Sequence, residues 1–204
     1  MKESKGILRN ASFGVLILGM AVLAGLASAE TYAFDKNHSK VIFVYNHLGI
    51  ANQYGRFNTF DGEVSFNPEK MAESKVSVSI DTASIDTGIA KLDEHLRSEE
   101  FFHAAQHPKI TFKSTEVRQT GAKSLQISGD LTIRGKTKPV VLDAVLNFVG
   151  EHPLSKHFKS YEGAQYAGFS AKTRVRRTDF DVGMYAPMNS DVVDIIIETE
   201  LRKK

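Results

Sequence analysis

Beyond residue 30 the apolar side chains recur at every second position. Phe60, Gly62, Val64 and Phe66 alternate with polar neighbours, as do Val76, Val78 and Ile80, the pair Ile110 and Phe112, Leu125 and Ile127, and Leu131 and Ile133. The pattern resumes in Val140, Leu142, Ala144, Leu146 and Phe148, then in Ala167, Phe169, Ala171, Thr173 and Val175, and closes with Val193, Ile195, Ile197, Thr199 and Leu201. Successive side chains of a strand face opposite ways, so a period of two marks strands with one dry face and one wet one. The alternation predicts about eight long strands, with Thr31 to Asp35 as a shorter ninth.

Turn-forming residues punctuate these runs at Asn67-Pro68, Gly121, Arg134-Gly135, Pro139, Gly150 and Pro153. Several connections are short enough for hairpins, which makes neighbouring strands antiparallel. One-faced strands in up-and-down order must stack as a sandwich or close into a barrel, and closure removes the exposed edges.

Three segments break the alternation. Val41 to Val44 is apolar at four consecutive positions, which predicts a strand covered on both faces. Phe57 is out of phase with Phe60, which predicts a β-bulge or sharp bend between Tyr54 and Asp61. From Lys91 to Ser98, Leu92 and Leu96 share a face at helical spacing, so a short helix between residues about 90 and 100 should cap or flank the barrel. The stretch from Gly150 to Gly163, rich in His, Lys and Ser, reads as the most mobile loop.

The first residues supply an address. Lys2, Lys5 and Arg9 precede an apolar run from Ala11 to Leu26 that ends in Ala27-Ser28-Ala29, the form of a secretory signal peptide cleaved after Ala29. This expectation makes residues 30–204 one exported domain, periplasmic in a Gram-negative cell. The leader takes three of the 26 basic and one of the 24 acidic residues, so the remainder is formally neutral. A neutral chain lacks the concentrated basic face that a nucleic-acid partner would need. With no cysteine, disulfides and thiol chemistry are excluded.

Candidate chemistry is sparse. His95, His103 and His107 fall close together beside Asp93, Glu99 and Glu100, and a helical i, i+4 pair such as His103 and His107 can present two nitrogens to zinc or copper. The spacing matches no established zinc pattern, however, and Pro108 ends any helix there. No Gly-x-Ser-x-Gly elbow and no phosphate loop is present, and Asp93 and His95, two apart, do not share a helix face. Glu99-Glu100 and Asp179-Phe180-Asp181 read as solvated loop charges, so the chain is expected not to be an enzyme and to hold no metal or cofactor.

What remains is the apolar inner face. Phe43, Tyr45, Phe60, Val64, Phe66, Val78, Ile80, Ile110, Phe112, Leu131, Ile133, Leu142 and Phe169 should supply it. An eight-stranded barrel has room either to be filled by side chains or to hold one small ligand. Gly62, Gly129, Ala144, Ala167 and Ala171 would leave space for a guest or relieve curvature, and the sequence leaves both open.

Several motifs act together: His38-Ser39, His47-Leu48-Gly49, Arg56-Phe57, Ser84-Ile85-Asp86-Thr87-Gly88, His95-Leu96-Arg97-Ser98, Phe101-Phe102, Pro108-Lys109-Ile110-Thr111-Phe112, Gly129-Asp130-Leu131-Thr132-Ile133-Arg134-Gly135, Phe169-Ser170-Ala171 and Arg177-Thr178-Asp179-Phe180. Through them the chain resembles the YceI-like family of periplasmic polyisoprenoid-binding proteins over nearly all of residues 30–203. The resemblance implies an all-β, eight-stranded antiparallel lipocalin-like barrel, with a long-chain isoprenoid or related lipid in the bore and no catalysis. His103 and His107 depart from the family's pattern, so a metal site there would be private to this chain. A quinone-like tail, carried or sequestered with transient membrane contact, fits the same implication. A broad stress-related scavenger of amphiphiles is the alternative. The apolar surplus of Val41 to Val44 and Val192 to Ile197 calls for a cover, either the helix or a partner in a homodimer.

Overall fold

The computed structural model describes residues 29–204; the expected leader lies outside them, save Ala29. The strands are β1 (Glu30–Phe34), β2 (Lys40–His47), β3 (Ala51–Phe57), β4 (Phe60–Phe66), β5 (Lys75–Asp81), β6 (Ile85–Asp86), β7 (Lys109–Gln119), β8 (Ser124–Ile133), β9 (Lys136–Glu151), β10 (Gln165–Arg176) and β11 (Val192–Lys203). One helix, α1 (Ala90–Arg97), lies between β6 and β7. Every pairing is antiparallel, and contact of β1 with both β4 and β11 closes the sheet into an eight-stranded barrel.

The eleven segments reduce to eight because three strands bend partway. β1 runs on into β2 through residues 35–39, β3 into β4 through Asn58 and Thr59, and β5 into β6 through the single turn Thr82–Ser84. The break expected near Phe57 therefore falls at Asn58, whose N–H reaches Ser84 O at 3.0 Å. At the first bend β11 exchanges one partner for another, from Phe34↔Leu201 to Lys40↔Glu198. Ser39, 1% exposed, fills that gap: its hydroxyl donates to Glu200 O and accepts from Glu200 N, both at 3.1 Å.

The same corner carries an ion pair. His38 Nδ1 lies 3.0 Å from Asp35 Oδ2 and 3.8 Å from Glu200 Oε2. The hydrogen bond and charge of Asp35 raise the His38 pKa above its ordinary 6.5. A raised folded-state value means stabilisation that is complete below the unfolded pKa and lost as pH rises through the folded one. His38 is exposed, so the effect on stability is small. An NMR titration should show His38 above the ordinary value in the native chain and back near it in Asp35→Asn.

The core has two apolar clusters along the barrel axis. The lower one, near Glu30 and Lys203, holds Tyr32, Phe66, Met71, Leu125 and Leu201; the upper one holds Phe57, Ile85, Ile133, Phe180 and Val193. Phe34, Leu131 and Val140 pack against both. The outer surface carries charge, including the pair Arg174–Asp194 at 2.6 Å. Apolar inside and charged outside is the reverse of a transmembrane barrel.

The expectation of a strand buried on both faces at Val41 to Val44 is corrected. Val41 is buried, but Ile42, Phe43 and Val44 are only half-buried. Ile42 pairs with Ile196 across to β11, so these half-buried side chains shield each other. The helix covers the other face of this strand, over Phe43 and Tyr45.

Candidate functional site

A cavity of about 220 Å³ runs through the barrel, touching side chains of both clusters. Its wall is almost wholly apolar, with Ser74, Thr173, Thr199 and Arg177 as the polar exceptions. An apolar void of about 150 Å³ already stays dry and admits a benzene-sized guest, so this bore has room for one. Of the inner-face residues read from the sequence, Phe43, Phe60, Val64, Phe66, Val78, Ile80, Ile110, Phe112, Leu131, Ile133, Leu142 and Phe169 all line it. Tyr45 does not; it sits in an adjoining pocket under the helix.

The alternation in β11 placed Val193, Ile195, Ile197 and Leu201 on the same wall, and they belong to the site as well. Phe102 and Val182 come from irregular segments and Phe180 from the single 3-10 turn Arg177–Phe180, none with a periodicity to reveal them. The small residues divide into two kinds. A Cβ at Gly62 would lie 2.1 Å from Ser77 O, and one at Gly129 would meet the Phe112 ring at 2.4 Å, so these glycines serve close strand and ring packing. Ala144 and Ala171, paired directly across β9 and β10, both line the bore and leave it open.

The upper end is closed by elements tied to carbonyls through three arginines. Arg97 reaches Ala83 O and Ile85 O; Arg134 reaches Phe101 O, Glu99 O and Asp181 O; Arg177 reaches Ser190 O, Val182 O, Met184 O and Asn189 O. Arg134 and Gly135 form the two-residue β8–β9 turn, both with positive φ (48° and 73°) as such hairpins require. The guanidinium fork suits this work because it offers five donors in a fixed plane. Burial lowers the Arg177 pKa, with Asp191 and Tyr45 opposing that shift.

α1 is fixed to the preceding turn by Asp93, 8% exposed, whose Oδ1 accepts from Thr87 N at 2.7 Å and Thr87 Oγ1 at 2.6 Å. Asp93→Ala should strand both donors and cost about 1 to 3 kcal/mol, read as a lowered urea midpoint. Thr87→Val removes only the hydroxyl and should cost less.

The small pocket beneath α1 shares Phe43, Phe102, Arg177 and Val193 with the bore, so the two adjoin across these side chains. Leu92, Leu96, Phe101 and Ile85 complete its apolar wall. Its polar lining residues are Tyr45, Asn189 and Arg177, whose guanidinium is already bound to backbone carbonyls. Asn189 Oδ1 is buried with no hydrogen-bond partner, and burial raises the Tyr45 hydroxyl pKa, with Arg177 opposing.

The histidine cluster does not assemble into a ligand set. His95 Nε2 contacts Glu100 Oε2 at 2.6 Å and its ring packs edge-on against Phe101. His103 and His107 lie 5.9 Å apart between ring centroids, and among the described residues no third ligand joins them. Asp181 pairs with Lys136 at 2.6 Å. Asp35, His38 and Glu200 do converge, at the barrel corner, where they already form the ion pair described above.

Comparison with known proteins agrees with this architecture. Residues 32–201 match the profile described as YceI-like domain. A UPF0312 protein of Ectopseudomonas mendocina is 41% identical over 196 residues, covering 95% of this chain and 98% of that one. Protein YceI of Escherichia coli O157:H7 is 38% identical over 195 residues, covering 95% and 97%. Among solved structures, BcnA of Burkholderia cenocepacia superposes with a TM-score of 0.71 at 25% identity, covering 82% of this chain and 98% of that one. A polyisoprenoid binding domain from Saccharophagus degradans superposes with a TM-score of 0.60 at 13% identity, covering 85% and 98%, a likeness of fold alone.

Proposed function

The chain belongs to the YceI-like family, and from that premise and the apolar bore we propose that it binds lipid, enclosing one polyisoprenoid or quinone-like chain. The observation that carries the reading is the continuous cavity of about 220 Å³ with almost no polar wall. Burying one CH2 from water yields about 0.8 kcal/mol, so a five-carbon isoprene unit contributes about 3 to 4 kcal/mol. Against a membrane that gain nearly vanishes, because the chain is already out of water. Such a site suits carriage or sequestration of lipid more than permanent storage. The signal-like sequence before Glu30 supports export and a periplasmic place of work.

The polar end of the ligand rests in the pocket under α1. Tyr45 offers a hydroxyl and Asn189 an unpartnered oxygen there, a pair suited to a head group that both donates and accepts, such as an alcohol or quinol. Tyr45→Phe should weaken binding of a prenyl alcohol by about threefold to tenfold, the worth of one hydrogen bond, and leave a prenyl hydrocarbon unaffected. Isothermal titration with the two ligands checks this.

Displacement of a fluorescent prenyl probe by a panel of chains tests the function itself. Prenyl chains should compete, and straight chains of equal carbon number should compete poorly. Equal competition by both would favour a broad scavenger, and no binding of any chain would overturn the lipid reading.

A further inference from the structure

The helix end of the barrel is ringed by apolar side chains held out in solvent. At the tip of the β2–β3 hairpin Leu48 is 50% exposed and Ile50 79%, and beside it Met188 is 63% exposed. Ile89, Tyr54 and Tyr185 are exposed at the same end. The hairpin and the 184–188 segment form one surface, since Leu48 N donates to Met188 O at 3.1 Å and His47 bridges to Asn189. Single exposed apolar residues are ordinary, whereas a cluster on the segments that close one end of an apolar bore marks an interaction site.

The hairpin between residues 41 and 55 and the 182–190 segment are also without charge, and Glu100 nearby is paired with His95, whose ring lies beside Tyr185. Residues 41–55 and 182–190 contain no Asp, Glu, Lys or Arg, in a chain that is 25% charged. Leu48 and Tyr185 hold left-handed backbone, φ 57° and 62°, which bulky residues seldom adopt. Behind the rim lies the pocket under α1: Asn189, which follows Met188, lines it, and that pocket adjoins the bore through Phe43, Phe102, Arg177 and Val193.

We infer that this rim docks on the head-group region of a lipid bilayer, so that a chain passes between membrane and bore without crossing water. The inference rests on the reading of the bore as a lipid site. Exposing each isoprene unit to water is the main barrier to exchange, and a mouth pressed into the interface removes it. Leu48, Ile50 and Met188 supply apolar tips, while Tyr54 and Tyr185 have the amphipathic form that settles at head-group depth. A charge-free rim gains from apolar burial rather than from attraction to anionic lipids. Docking should therefore occur on neutral phosphatidylcholine vesicles and persist when salt is raised.

The test uses the full protein with phosphatidylcholine vesicles, measuring co-flotation and the rate at which a fluorescent prenyl chain moves from donor to acceptor vesicles. Wild type should float at low and high salt. The double variant Ile50→Ser, Met188→Ser should float at least about tenfold less and transfer more slowly, as loss of two side chains partly buried in the interface implies. Its affinity for the same probe in vesicle-free solution should be unchanged, because neither residue lines the bore. Flotation of the variant equal to wild type, or no flotation of wild type, overturns the inference. So does a variant that converts a dimer to a monomer in sedimentation while floating as before, which would make the rim a face for a second copy. If the probe fails to bind but flotation still depends on Ile50 and Met188, the docking surface stands and the lipid reading of the bore falls.

Discussion

Replacing Ala171 by Phe lowers the affinity for a prenyl chain more than a hundredfold while the barrel stays folded. Ala171 and its cross-strand partner Ala144 are the small residues of the bore wall, and the void exists partly because nothing larger stands there. A phenyl ring at residue 171 occupies space that the ligand would otherwise fill. Excluding one isoprene unit forfeits about 3 to 4 kcal/mol, which is more than two orders of magnitude in dissociation constant. The native-state cost is smaller, about 1 to 3 kcal/mol at most, because the ring enters a cavity rather than a packed core. Fluorescence titration gives the affinity and urea denaturation the stability. Unchanged affinity in a folded variant would place the ligand somewhere other than the bore.

Removing the Arg177 guanidinium destabilises the protein by about 3 kcal/mol or more, because four carbonyls lose charge-assisted donors at once. Those carbonyls belong to Val182, Met184, Asn189 and Ser190, so the segment that closes the upper end loses its anchor. Arg177→Lys should recover less than half of the loss, since a single ammonium has three donors and no planar fork. Hydrogen exchange should show the damage concentrated in residues 178–191, with the β7–β8 hairpin still protected. Uniform loss of protection would mean that the clamp holds the whole barrel rather than its lid.

The barrel was legible in the sequence because its strands obey one rule. Val64 and Phe66, Ile110 and Phe112, and Ile195 and Ile197 each repeat at a spacing of two, and a spacing of two fixes which face turns inward. Leu92 and Leu96 likewise gave the helix, observed at Ala90–Arg97. Tyr45 obeyed the same phase but falls above the bend at residues 35–39, where the wall opens beneath α1, so it faces the adjoining pocket.

Irregular segments were a different matter. Phe102, Phe180 and Val182 reach the bore because Arg134 and Arg177 bind backbone carbonyls around them, and no local pattern announces a contact made by a distant guanidinium. The histidines show the converse. His95, His103 and His107 are neighbours in the chain, yet His95 turns to Glu100 and Phe101 while the other two meet edge to face. The bore volume, too, depends on how whole side chains interlock. Composition left a filled barrel and an open one equally consistent, and only the packed arrangement around Ala144 and Ala171 separates them.

The central claim is that the bore holds lipid, and native mass spectrometry of protein purified without detergent tests it most directly. The account predicts a one-to-one adduct that organic extraction releases as a prenyl chain, and that the Ala171→Phe variant lacks. A spectrum of bare protein, with no lipid in the extract and no adduct on adding a prenyl chain, would contradict it.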